Sequence, residues 1–119
     1  VADVLSVCCP ATKETTNIIN KKTLEYLPTG AVVTNVARGD IVDDNALIDA
    51  LNTRKVYAVG LDVYQGEPNL NQGYLKHKSA FILPHLGSAT KETRTAMANL
   101  AIDNISEFFQ IGSCKNKVN

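Results

Sequence analysis

Four short apolar runs, each stopped by a proline, a glycine or a change to polar residues, constrain this chain more than any other feature. They are "ADVLSVCC" at 2–9, "AVVTNV" at 31–36, "VYAVGLDV" at 56–63 and "AFILP" at 80–84. Runs this short and this rich in β-branched residues read as strands, not helices. The first reads as a strand covered on both faces, as in a parallel sheet. The connections are too long for hairpins and carry helical patterns of their own. "KKTLEYL" at 21–27 is a brief helix closed by Pro28 and Gly30, and Asp43 caps a second in which Ala46, Leu47, Ala50 and Leu51 recur at helical spacing. After the turn at Gly66 to Pro68, a polar loop of about a dozen residues leads into the fourth run. Thr90 caps a long final helix, 90–111, with Met97, Leu100, Ala101, Ile105 and Phe108 along one face and Gly112 at its end. Strands alternating with helices predict an α/β fold with right-handed parallel crossovers.

Length and charge narrow the functional classes. A chain of 119 residues holds one core. Twelve basic residues balance twelve acidic ones, so no net positive field exists to hold nucleic acid or an anionic membrane. The 45% hydrophobic content is that of a soluble globular domain. Cys8, Cys9 and Cys114 are odd in number and lack paired spacing, which fits neither a disulfide framework nor a metal site and points to a reducing compartment. No basic segment precedes the apolar start, so it reads as a strand and not a signal peptide. A chain opening on Val1 suggests that further residues precede it.

In parallel α/β sheets, ligands gather at the carboxyl ends of the strands. The turn at Pro10 follows the first run, Arg38 the second, Asp62 and Glu67 the third, and His85 the fourth, so four loops meet along one rim. Arg38 precedes Gly39, where the backbone turns sharply. A guanidinium grips a carboxylate through two parallel hydrogen bonds, a fork that lysine lacks. The alternative is a surface arginine paired with Asp40 or Asp43. A carboxylate beside an imidazole stabilises its protonated form, and Glu67 is the obvious partner for His85. Alone, His85 also reads as a structural histidine at a strand end, and His77 reads only as a solvated loop residue. Together, an arginine that fixes a carboxylate and a histidine that protonates an oxygen are the polar parts needed to reduce a 2-oxo acid. No side chain donates hydride, so a nicotinamide cofactor has to supply it.

Four blocks, in order, carry a resemblance: "CPATKET", "NVARGDIVD", "GLDVYQGEP" and "PHLGSAT". Together they resemble the D-isomer-specific 2-hydroxyacid dehydrogenase family, over the C-terminal half of its nucleotide-binding domain. The resemblance implies a partial Rossmann-type, doubly wound parallel sheet followed by a crossover helix at about 90–111. It implies a catalytic set of Arg38, Glu67 and His85. Arg38 would bind the substrate carboxylate and carbonyl, His85 would act as the general acid, and Glu67 would keep His85 protonated. The implied cofactor groove, for NADPH or NADH, comprises Cys9, Pro10, Val36, Ala37, Arg38, Asp62, His85 and Gly87, with Asp62 on the nicotinamide side. Ser88 would join Arg38 and His85 around the substrate. Glutamate at 67, where the similar formate dehydrogenases carry glutamine, favours the 2-hydroxyacid enzymes. "LPHLGSATKETR" is most similar to the glyoxylate and hydroxypyruvate reductases, implying reduction of a small 2-oxo acid to the D-2-hydroxy acid by a cytoplasmic protein that is a homodimer at full length. A second implied reading is a nucleotide-sensing interaction module, since the corepressors called C-terminal binding proteins share the Arg, Glu and His pattern.

The glycine-rich G-x-G-x-x-G turn that seats a pyrophosphate is not among these residues, because no two of the seven glycines are separated by a single residue. In the family that turn and the substrate domain lie ahead of the position of Val1. The 119 residues alone are therefore expected to be marginally stable, prone to associate and inactive, with an open sheet edge at the first strand and a partly uncovered apolar face on the last helix.

Overall fold

A computed structural model describes residues 2–118. The chain divides into two compact units, one ending at Gly87 and one beginning at Ser88. The first unit is a parallel sheet of four strands, β1 (Val4–Val7), β2 (Ala31–Asn35), β3 (Val56–Leu61) and β4 (Ala80–Ile82), in the order β1-β2-β3-β4. All three pairings are parallel. Helix α1 (Lys21–Leu24) lies between β1 and β2, and α2 (Asp44–Asn52) between β2 and β3. With the strands in sequence order, right-handed crossovers fall on a single face of the sheet. The burial pattern follows from this. Val7, Val33, Asn35, Val59 and Leu61 are buried with Leu24, Leu47 and Leu51 of the helices, whereas Val4 and Phe81, on the opposite face, stay exposed.

Strand β1 differs from the expectation of cover on both faces. Val4 and Ser6 are exposed and only Val7 is buried, because β1 is an edge strand and its outward face meets no helix. The first helix is also shorter than 21–27. Asn20 and Thr23 form a reciprocal capping box, with Asn20 Oδ1 accepting from the Lys22 and Thr23 amides, and a single helical turn then gives way to the approach to Pro28. Helix α2 starts as predicted, with the Asp43 carboxylate accepting from the Ala46 amide at 3.1 Å.

The loop before β4 holds a 3-10 turn, Gln72–Lys76, that delivers Tyr74 into the core with 1% of its surface exposed. The Tyr74 hydroxyl donates to Asp44 Oδ1 at 2.9 Å, in the first turn of α2, while Asp44 Oδ2 is buried with no partner. Burial, more than any other influence, pushes the Asp44 carboxyl above the ordinary carboxylate range, although the Tyr74 hydrogen bond opposes it, and burial likewise pushes the Tyr74 phenol up. A carboxyl whose folded pKa exceeds its unfolded value adds stability below the unfolded value, near 3.8, and loses it as the pH rises through the folded value. The advantage of wild type over Asp44→Asn is therefore expected to shrink as the pH is raised from about 3 to about 7, measured by urea midpoints across that range. A difference that is flat with pH would refute the assignment. His77 is another departure: it is half-buried, not solvated, and its Nε2 is shut from water without a partner.

The second unit is dominated by α3 (Lys91–Ile111), capped by the Thr90 hydroxyl on the Thr93 amide and terminated by Gly112 in the left-handed region at φ 73°. None of its residues is buried, and Met97, Leu100, Ile105 and Phe108 are each more than half exposed. Among the described residues no helix is long and apolar enough to cross a membrane.

Candidate active site

Every predicted polar residue of the first unit sits just past the carboxyl end of a strand, and each loop there is held by hydrogen bonds that explain part of its motif. In "CPATKET", the Thr15 hydroxyl accepts from the Thr12 amide at 2.7 Å and donates to the Pro10 carbonyl at 2.8 Å, folding the loop after β1 onto itself. Asn17 follows in the left-handed region, and its amide donates to the Asp40 carbonyl at 2.8 Å, tying this loop to the next. In "NVARGDIVD", Asn35 is 1% exposed. Its Oδ1 accepts from the Ala37 amide at 3.0 Å and its Nδ2 donates to the Arg38 carbonyl at 2.9 Å. This clamp turns Val36 to Arg38 across the rim.

Gly39 explains how the second and third loops meet. A Cβ there would overlap the carbonyl of Tyr64 and lie 2.7 Å from the Gln65 amide nitrogen, so only a residue without a side chain lets the two backbones touch. Gln65 ties the third loop to the first, its Nε2 donating to Asn17 Oδ1 at 2.9 Å. In "GLDVYQGEP", Glu67 uses both carboxylate oxygens. Oε1 accepts from the Tyr64 amide at 3.0 Å, and Oε2 lies 2.8 Å from His85 Nδ1. A carboxylate only accepts, so His85 carries its proton on Nδ1 there, and Nε2 is the ring nitrogen left for another partner.

Arg38 is exposed, and among the described residues it forms no ion pair. Neither Asp40 nor Asp43 engages it, and Nη1 donates only to the adjacent Ala37 carbonyl, at 2.6 Å. Arg38, Glu67 and His85 line one open cleft of about 380 Å³ together with Tyr64 and Gly66. The cleft adjoins a groove of about 550 Å³ through shared Ala11 and Arg38, and Cys8, Cys9, Pro10, Val36 and Ala37 line that groove. Apart from Arg38, the groove is lined by short or apolar side chains, and none of its residues is a carboxylate. Asp62 is 8% exposed and sits behind the rim, turned to the loop that follows β4. Ser88 belongs to the second unit. Sequence reasoning passed over Asn35, Tyr64 and Gln65, and it read Gly39 as a point where the chain turns without its close approach to the Tyr64 carbonyl.

Residues 1–87 match the family model described as "D-isomer specific 2-hydroxyacid dehydrogenase, NAD binding domain". The chain belongs to the D-isomer specific 2-hydroxyacid dehydrogenase family. Among members of that family, glycerate dehydrogenase of Hyphomicrobium methylovorum is 42% identical over 109 residues, which are 92% of this chain and 34% of that protein. Glyoxylate reductase of Thermococcus litoralis is 41% identical over 90% of this chain and 32% of its own length. An NADPH-dependent glyoxylate/hydroxypyruvate reductase of Sinorhizobium meliloti, solved in complex with NADP and malonate, superposes with a TM-score of 0.90 at 37% identity, covering 95% of this chain and 35% of that one. The chain spans about a third of the length of the curated relatives it matches.

Proposed function

We propose that these residues are the C-terminal half of the nucleotide-binding domain of a 2-oxo acid reductase, with 90–111 as its crossover helix, acting in the cytoplasm. Glyoxylate or hydroxypyruvate is the substrate, reduced to the D-2-hydroxy acid with NADPH or NADH, within a longer chain that dimerises. The isolated 119 residues lack the glycine-rich turn and are inactive alone. The observation that carries the reading is the convergence of an unpaired guanidinium and a carboxylate-held imidazole on one cleft. Two relatives with names in this reductase class support the substrate class.

Cys9, Pro10, Val36 and Ala37, which line one groove, would hold a reduced nicotinamide dinucleotide together with Asp62 and Gly87, and the dinucleotide would supply the hydride. The chain's own residues do the rest. Arg38, free of protein carboxylates, takes the substrate carboxylate through paired hydrogen bonds and fixes the keto group against the imidazole. His85, its Nδ1 engaged by Glu67, delivers a proton from Nε2 to the carbonyl oxygen as negative charge develops there.

Arg38→Lys separates this role from simple charge. Lysine keeps the positive charge but not the fork, and one lost charge-assisted hydrogen bond is worth about 1.5–3 kcal/mol. In the full-length protein, KM for the 2-oxo acid is expected to rise roughly 10- to 100-fold, well beyond any rise in KM for the dinucleotide. Steady-state kinetics with each substrate varied in turn checks this, and an unchanged KM for the 2-oxo acid would remove Arg38 from the substrate site.

A further inference from the structure

Asp62 makes more contacts with the protein than a cofactor-facing residue needs. Its carbonyl accepts from the His85 amide at 2.9 Å, Oδ1 accepts from the Leu86 amide at 2.6 Å, and Oδ2 accepts from the Gly87 amide at 2.9 Å. Three consecutive amides of the loop after β4 thus converge on one residue. The first of them belongs to His85, which stands at φ 55°, in the left-handed region that a side chain rarely adopts. Such a backbone persists only where its surroundings over-determine it, and these three bonds do so. Gly87 is part of the fit, since a Cβ there would come within 3.1 Å of Oδ2.

The Asp62 amide in turn donates to the Asn35 carbonyl at 3.0 Å, and the Asn35 side chain holds the Ala37 and Arg38 backbone. Both residues are at least nine-tenths buried and stand side by side where β2 and β3 end. One continuous buried chain of hydrogen bonds therefore runs from the Arg38 turn to the His85 turn.

We propose that Asp62 is a positioning residue for His85, and that with Asn35 it forms a strut setting the imidazole relative to the guanidinium. This assigns Asp62 a task beyond the cofactor contact expected of it, and its catalytic meaning rests on the function proposed above. A carboxylate suits the task because it offers two acceptors and no donor. Asparagine would oppose one loop amide with its own NH2, leaving that donor unpaired.

The test is NMR of the full-length protein, with neither cofactor nor substrate, comparing wild type with Asp62→Asn. The Leu86 and Gly87 amides are expected to exchange at least about tenfold faster in the variant, with the Glu67-bonded Nδ1 proton of His85 lost and Val33 and Val59 amides unchanged. Gly87→Ala, which crowds Oδ2 from the loop side, is expected to give the same pattern and serves if Asp62→Asn does not fold. Loop amides that keep their protection overturn the proposal. Faster loop exchange with the His85 ring proton retained overturns it as well, since Asp62 then braces the loop without placing the imidazole. Because no turnover is measured, failure here leaves the reductase reading standing. Failure of that reading shows separately, as catalysis by the full-length protein that is indifferent to His85.

Discussion

His85→Ala in the full-length protein is expected to lower kcat by about 100- to 10,000-fold while KM for the 2-oxo acid changes little, because a general acid acts as charge develops and not in the ground state. The imidazole has one nitrogen on Glu67 and the other free, an arrangement in which proton donation and orientation are separate tasks. Glu67→Gln divides them further. Glutamine retains a carbonyl oxygen that can accept from Nδ1 but lacks the carboxylate charge, so orientation is kept and turnover should fall less than in His85→Ala. Steady-state rates for wild type and both variants check this. Wild-type kcat in His85→Ala would refute the acid assignment.

Gly39→Ala is expected to have the largest effect on the fold. The new Cβ meets the backbone of Tyr64 and Gln65, not a side-chain tip that could swing away, so one of two loops has to move. Overpacking of this kind costs about 1–3 kcal/mol and more where backbone cannot yield, and we expect at least about 3 kcal/mol here. Urea unfolding of the full-length protein measures it. Since Arg38 and Glu67 lie on the two loops that Gly39 joins, the variant should also separate them, visible as displaced Arg38 and Tyr64 backbone resonances. A fully stable Gly39→Ala with unshifted resonances would mean that the two backbones are not in contact.

These residues also mark how much could be read beforehand. Strand positions were legible because a parallel sheet demands short apolar runs, and Arg38, Glu67 and His85 stood out because each follows such a run at a break. The rim followed from topology. What escaped was pairing between polar groups distant in sequence. Tyr74 and Asp44 are thirty residues apart and lie in stretches without periodicity, so nothing announced their buried bond. Asn35 lies inside a run that reads as strand, and nothing in that run announces that its side chain clamps the turn presenting Arg38. Nor does the block around Asp62 announce that its carboxylate is engaged by loop amides. The outer face of β1 was misjudged because an apolar run does not reveal whether it lies at the middle or the edge of a sheet.

The account stands on a guanidinium and a Glu67-held imidazole acting on one keto acid. Its most direct test is the oxidation of reduced nicotinamide by the full-length protein with glyoxylate or hydroxypyruvate, run beside the double variant Arg38→Ala, His85→Ala. The account predicts one 2-hydroxy acid formed per nicotinamide oxidised, and no turnover in the double variant that still folds and binds dinucleotide. Turnover that survives the loss of both side chains, or a folded, dinucleotide-bound wild type that reduces neither acid, would contradict it.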